Sequence, residues 1–455
     1  MRDVLLITVD SLRADHLGCD GYERETTPAI DALAANGHRF ANAFAHACAT
    51  RASFPSILTS STALMYGGYE SLSENRTLVT EALPAAYRAG GFHSNLYLSA
   101  EFGYSRGFDA FFDSKSDPSP AARVKGAVEE RLDEDGWLYG VLSRAVDTAE
   151  KEAGINVGSA YVRADEITEK AIDWAENERD GPRFLWTHYM DVHHPYRPPE
   201  RHQRALGIDP VPEREAIRLR RKMIEAPDEI TDDERRTLID LYDAEIRFTD
   251  TEIGRLIERV RGMWGDDTMV IVTADHGEAF GEHGGYSHTQ TFHDEMLHVP
   301  LIVSCGGDSR VTTHDELVGL ADLTPTIVDY AGGEQANSFV GHSLHPLLDG
   351  EGDWPREHVV GDWADGNRGG GERRFAYRDR RWKYIERGDG RVLYDLAADP
   401  GEHENVADAN PEVCERLHSV LDEHRGRIAA SADDLRTVEM NESTKKRLRD
   451  LGYAE

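Results

Sequence analysis

Two stretches of this chain, "DVLLITVD" at residues 3–10 and "TMVIVTAD" at 268–275, are apolar runs that each end in aspartate. Strands with one wet face alternate polar and apolar residues. An unbroken run is dry on both faces, which places it inside a parallel sheet covered by helices. "FHSNLYLS", "RFLWTHYM" and "VPLIVSC" read as further short strands, separated by helical patterns such as residues 79–90 and 243–262. "TTPAIDALAANGHRFANAFA" reads as a helix, with Thr capping it, Pro near its first turn and Gly37 stopping it. Strands alternating with helices predict an α/β fold: a large, mainly parallel sheet sandwiched by helices, with ligands at the strand carboxyl ends.

Residues 125–180 and 213–262 are charged and mostly helical, and are expected to cover the outside of that sheet. After "PLLDGEGDWPREH" the texture changes to short hairpin strands around Gly-rich turns, followed by a helix over 411–428. A boundary near 352 divides the chain into residues 1–352, the α/β domain with a partly helical cover over 125–262, and 353–455, a smaller C-terminal α+β subdomain. Trp382, Tyr384 and Tyr394 alternate with polar residues as core strand positions do.

Charge narrows the partners. The chain carries 84 acidic and 51 basic residues, a net −33, with 8 Lys against 43 Arg. Such a field repels nucleic acid and anionic membrane. The acids are spread along the whole chain, as expected of a protein adapted to concentrated salt, where the screening length falls to roughly 3 Å at 1 M. Cys19, Cys48, Cys305 and Cys414 show neither the spacing of a zinc knot nor a disulfide framework. No stretch approaches 18 apolar residues, so no membrane span is expected. The opening "MRDVLLITVDSL" lacks a basic n-region with a long apolar run, and the cytoplasm is the expected location.

The candidate chemistry sits at the strand ends. Asp10 closes the first apolar run, and Asp275 with His276 closes the second in "MVIVTADHGE". Carboxylates with an imidazole at one edge of a parallel sheet are a ligand set for a divalent cation, from Mg or Mn to Zn. More histidines follow other strands: His193 and His194 in "MDVHHPYRPP", His283 and His288 in "GEHGGYSHTQ". That glycine-rich loop suits the wall of an anion site. His298 in "MLHVPLIV" reads as structural. In "ACATRASFPSILTSST", Ser53 and Phe54-Pro55 suit the start of a helix, so Thr50 or Ser53 is either a cap or a hydroxyl held in positive partial charge.

At these residues the chain resembles the sulfatase family of the alkaline phosphatase superfamily. "DVLLITVDSLRADHLGCDGYERETTPAIDALAANGHRFANAFA" is similar to that family's opening and "VTADHGEAFGEHG" to its second metal motif. "LADLTPTIVDYAGG" with "GHSLHPLL", then "RWKYI" and "LYDLAADPGEHENVAD", resemble its later landmarks. The resemblance implies the same fold. Sulfatases oxidise a Cys or Ser to formylglycine within a motif that also holds Pro or Ala and Arg. Counting back from Leu58-Thr59-Ser60, the position of that nucleophile is Thr50 and that of the Arg is Phe54. Threonine cannot give formylglycine. Cys48 lacks the Pro and Arg, and Ser53 has Ile57 for Arg and the wrong spacing to Thr59. Ser11 replaces the second acid after the first strand. The family's Lys and His are missing from "LYLSAEFGYSRGFDAFF", and His288 stands for its later Lys.

What remains is similar to superfamily phosphodiesterases and phosphotransferases, which use Thr as both metal ligand and nucleophile. With the acidic composition this points to a salt-adapted, haloarchaeal-type member, and the resemblance implies that Asp10, Thr50, Asp275 and His276 bind one divalent metal ion (Mg, Mn, Ca or Zn). Thr50 is then the nucleophile, and His193 and His288 serve the transferring group as donors or as general acid. Arg13 and Arg51 are either anion contacts or ion-pair partners, and Asp191 with His194 could complete a second metal site. The expected substrate is a small-molecule or glycan- or lipid-linked anionic ester. The leading expectation is cleavage of phosphate mono- or diesters through Thr50. Sulfate-ester hydrolysis without formylglycine is the second, and a metal- and anion-binding protein without turnover the third.

Overall fold

The computed structural model describes residues 2–114, 161–178, 181–306, 310–364 and 371–432. Its main sheet has eight strands: β1 (Val4–Val9), β2 (His38–Phe44), β3 (Arg88–Phe92), β4 (Ala110–Phe112), β5 (Arg183–Tyr189), β6 (Met269–Ala274), β9 (Leu301–Ser304) and β10 (Thr312–Gly319). Their order is β10-β2-β9-β6-β1-β5-β3-β4. Only β9 runs against its neighbours; the other pairs are parallel. β1 lies between β5 and β6 and is buried throughout, as its unbroken apolar sequence requires.

The covering helices Ala164–Asn177 and Asp232–Trp264 pack against each other, and the second also packs on the helix Pro28–Ala34. The helix Glu213–Glu225 lies beside Asp232–Trp264 as well. The expected helical cover over residues 125–160 falls outside the described residues. No helix of the described residues is long and apolar enough to cross a membrane.

A four-stranded antiparallel sheet follows, in the order β11 (Val359–Ala364), β12 (Arg373–Arg378), β13 (Trp382–Arg387), β14 (Gly390–Asp395), and the helix Pro411–Ala430 packs on β12. Trp382, Tyr384 and Tyr394 are buried in it. His46, just beyond β2, joins the sheets: its Nδ1 donates to Val360 O at 2.7 Å and its carbonyl accepts from Asp362 N at 3.1 Å.

Three expected elements differ. The helix that opens at Pro28 ends at Ala34, and "HRFANAF" beyond Gly37 is β2, with Phe40 and Phe44 buried. Thr27 makes no cap for that helix; Asp250 accepts from Ala29 N and Ile30 N, each at 2.9 Å, in its place. The strand expected at "FHSNLYLS" lies earlier, at β3, and Leu96–Leu98 is a single 3-10 turn whose Tyr97 amide donates to the Asn95 side chain. Residues 79–90 hold one helical turn, Val79–Ala82, and then enter β3. Pro84 ends the turn: it holds Leu83 extended, with φ −69° and ψ 148°.

Candidate functional site

Sheet register builds the site. Val9 pairs with Ala274 and with Tyr189, so Asp10 and Asp275, the next residues, emerge side by side at the carboxyl edge. Asp10 N is fixed by Tyr189 O at 2.8 Å. Ser11 then turns the chain with φ 59°, a left-handed value uncommon outside glycine. That turn aims its amide at Asp275 Oδ1, 3.2 Å away, and its hydroxyl at Asp10 Oδ1, 2.8 Å away. Asp275 Oδ1 also accepts from His276 N at 2.9 Å. After His276 the chain passes so near Glu295 O that a Cβ on Gly277 would lie 1.9 Å from it, which only glycine allows.

Thr50 is the first residue of the helix Thr50–Thr59, which begins three residues earlier than Pro55 suggests; Pro55 lies inside it. Neither hydroxyl caps the helix. Thr50 Oγ1 donates to Asp10 Oδ2 at 3.0 Å and lies 3.4 Å from His276 Nε2, while Ser53 Oγ donates to Asp275 O at 2.6 Å. Thr50 thus sits in the positive end of the helix dipole, facing two carboxylates.

The carboxylates are fully buried. Burial opposes charge on Asp10, but the closeness of His188 and the charges of His193 and His276 outweigh it and hold this carboxyl well below its usual range. Burial and the charge of Asp10 push Asp275 up. Burial works against an imidazolium at His276, and Asp275 and Asp10 overcome it, raising its pKa. Asp275 Oδ2 makes no hydrogen bond. His276 Nδ1 donates to Gly277 O at 2.8 Å, which turns its Nε2 toward Asp275 Oδ2, 3.6 Å away, and Asp10 Oδ1, 3.9 Å away. Two carboxylates, a hydroxyl and an imidazole oriented through its outer nitrogen fit a divalent cation.

Three more imidazoles form the wall. The rings of His193 and His288 are 4.6 Å apart, His193 and His194 4.4 Å, and His276 and His288 4.8 Å. Nitrogens of His193, His194 and His288 lie within 4.8 Å of one another. Burial, then the charges of neighbouring histidines, hold His194 and His288 well below the usual imidazole range; burial also lowers His193, against the pull of Asp10.

The family pattern described as "Sulfatase" matches residues 2–333, well over half of the chain, and one described as "N-sulphoglucosamine sulphohydrolase, C-terminal" matches residues 281–427. The chain belongs to the sulfatase family. Members typically bind a divalent metal, and this sulfatase-family protein offers buried groups that could hold one. It is similar to arylsulfatase K of Gallus gallus, 31% identical over 203 residues (42% of this chain, 38% of the relative). It is also similar to the Delta 4,5-hexuronate-2-O-sulfatase of Bacteroides thetaiotaomicron, 31% identical over 199 residues (42% and 40%). The alignments thus span 38% and 40% of those relatives' own lengths. The phosphonate monoester hydrolase of Agrobacterium radiobacter shares the fold, with a TM-score of 0.71 at 22% identity, over 94% of this chain and 96% of that one.

Of the residues expected at the site of this sulfatase-family protein, Asp10, Thr50, Asp275, His276, His193 and His288 come together. Others do not. His283 faces His293 and Glu295 rather than the carboxylates. Asp191 and His194 part company: His194 joins the histidine wall, whereas Asp191 is buried toward Arg163 and Glu245, its carboxyl raised to about 7 by burial in spite of Arg163. No group of three possible metal ligands among the described residues includes Asp191. Arg13 is a buried ion-pair partner of Asp15 and Glu282, and Arg51 lies over the rings of Tyr97, Tyr69 and Phe102. His298 is structural, its Nε2 2.9 Å from Ala41 O.

Two neighbours of Asp10 are additions. His188 Nε2 lies 3.5 Å from Asp10 Oδ2, and Asn95 Nδ2 donates to the same oxygen at 3.5 Å. The signal for His188 is an ionisable residue inside the apolar run of β5; its register with Thr8 turns it to the face that Asp10 occupies two residues on.

Proposed function

We propose that this sulfatase-family protein cleaves phosphate mono- or diesters, with Thr50 as nucleophile. The supporting observation is the placement of Thr50 Oγ1 between Asp10 Oδ2 and His276 Nε2, at the position where sulfatases carry the formylglycine precursor. Asp10, Thr50, Asp275 and His276 would hold one divalent ion. When bound, such an ion lowers the pKa of a coordinated hydroxyl and shields the attacked centre.

The chain's own groups supply the rest. Asp10 Oδ2 is the first acceptor of the Thr50 proton. Thr50 Oγ1 bonds to phosphorus as the ester oxygen leaves with a proton; water then bonds to that phosphorus as the Oγ1–P bond breaks, which frees the phosphate and returns a proton to Thr50. His193 Nδ1 donates to His194 O, so Nε2 carries a proton only in the cationic ring. An incoming anion favours that cation, which makes His193 the donor to the leaving oxygen. Ser11 gives its one proton to Asp10 and accepts from His288 Nε2 at 3.2 Å, which fixes the orientation of His288 beside the anion.

The test is turnover by the purified chain in molar salt, loaded with Mn or Zn, on a nitrophenyl phosphate monoester, a nitrophenyl phosphodiester and the matching sulfate ester. The proposal expects phosphate ester cleavage. Cleavage of the sulfate ester alone would instead favour the second reading, to which the similarity to a hexuronate-2-O-sulfatase lends support. Silence on all three would favour a binding protein. The net charge of −33 supports adaptation to concentrated salt as part of the same reading.

A further inference from the structure

Outside the catalytic cluster, a second group of ligating side chains lies where the large domain meets the C-terminal sheet. His283 stands on the loop between β7 (Ala279–Phe280) and β8 (Tyr286–Ser287), and His293 and Glu295 lie just beyond it. The two imidazoles stack with centroids 3.6 Å apart and planes 12° from parallel. His283 Nδ1 is 2.8 Å from Glu295 Oε1, and His293 Nδ1 is 3.9 Å from the same oxygen.

The outer nitrogens are engaged differently from the inner ones. His283 Nε2 lies 3.1 Å from Gly401 O and 3.2 Å from Glu402 O, and His293 Nε2 lies 3.2 Å from the Tyr394 hydroxyl. Those partners belong to β14 and the segment after it. His293 Nδ1, in contrast, makes no hydrogen bond. Two imidazoles tethered through one nitrogen each, with the other turned toward a shared carboxylate oxygen, repeat the outer-shell pattern of metal-binding histidines. The His403 ring, 5.4 Å from that of His283, is a candidate fourth donor. Nearby Lys383 is already paired with Asp294 at 2.5 Å and Glu402 at 2.6 Å, which limits its repulsion of a cation.

We infer that His283, His293 and Glu295 bind a divalent cation of the zinc class, at a site separate from the Asp10–Asp275 cluster. The donor set of two nitrogens and one carboxylate favours Zn, Co or Ni over Mg or Ca. His293 Nε2 is engaged by the Tyr394 hydroxyl, which leaves Nδ1 as the nitrogen that faces Glu295. His283 Nε2 faces two carbonyl oxygens and so carries a proton, which leaves Nδ1 as the nitrogen that takes the ion, any proton there passing to solvent. The two rings open from their stack to share the ion. Such an ion ties the Gly281–His288 loop, which carries His288 into the catalytic wall, to the segment at Gly401–His403.

The experiment measures zinc per chain by elemental analysis, after chelator stripping, reloading and desalting. It compares wild type, His293→Phe and Glu295→Gln, each with and without Asp275→Asn. Phe keeps the stacked ring, and circular dichroism of the stripped proteins reports whether each variant folds. The inference expects His293→Phe and Glu295→Gln each to bind one equivalent fewer than their parent in both backgrounds. Equal zinc in parent and folded variants would overturn it. Zinc retained by Asp275→Asn at the wild-type level would count against the catalytic site alone, leaving the comparison at His293 intact.

Discussion

The Thr50 hydroxyl donates to Asp10 Oδ2 at 3.0 Å, joining the first turn of a helix to the end of β1. The bond turns the hydroxyl away from its own helix and toward the buried carboxylates. A cap would have faced the amides of the same turn. Four residues from three separate parts of the chain meet around that oxygen: Asp10, Thr50, Asp275 and His276.

Asp275→Asn removes one of two buried carboxylates and leaves a set too weakly charged for tight binding of a dication. Metal content by elemental analysis is expected to fall by one equivalent relative to wild type. Undiminished metal would place the catalytic ion elsewhere.

Ser11 separates backbone from hydroxyl effects. Its φ of 59° costs a non-glycine residue about 1 kcal/mol, so Ser11→Gly is expected to stay within about 1 kcal/mol of wild-type stability while losing turnover, because His288 and Asp10 lose their bridge. Ser11→Val cannot hold that φ easily and is expected to lose about 2 kcal/mol or more. Urea denaturation beside initial rates checks both; full turnover by Ser11→Gly would remove the bridge from the account.

Much of this was legible. Asp10 and Asp275 stood out because each ends a run that has to be a buried strand, and the register Val9–Ala274 made them neighbours. β2 was hidden because "HRFANAF" continues a helical pattern with only Gly37 as a break, and pairing with β10 decided it. Pro55 suggested a later helix start, since proline suits the first turn, yet it stands inside a helix that opens at Thr50. His188 required strand register as well as sequence.

Acid should weaken the seam between the sheets. Burial, then the charge of Arg356, lowers the pKa of His46 from 6.5 to about 4 in the folded protein. A depressed histidine pKa means that the unfolded chain takes up the proton first. The contribution is complete above about pH 6.5 and is lost as pH falls toward 4. Between pH 7 and pH 5 this amounts to about 2 kcal/mol. His46→Gln should show a decline in stability over that interval smaller by a similar amount in urea denaturation. An identical decline would refute the assignment.

Salt should matter in the opposite sense from an ordinary ion-paired surface. Exposed ion pairs contribute at most about 1 kcal/mol each and weaken in salt. A net charge of −33 repels itself throughout the chain, and screening relieves that repulsion. The melting temperature is expected to rise from dilute buffer to molar KCl. An unchanged value would contradict the salt-adapted reading.

The central claim is that Thr50 is the nucleophile. Thr50→Ala and Thr50→Ser, loaded with Mn or Zn in molar salt and matched to wild type for bound metal, are compared on the phosphate ester that wild type cleaves best. The account predicts a loss of at least about 10³-fold in Thr50→Ala, with Thr50→Ser retaining activity within about tenfold of wild type. Cleavage by metal-loaded Thr50→Ala at the wild-type rate would contradict it and assign the attack to water.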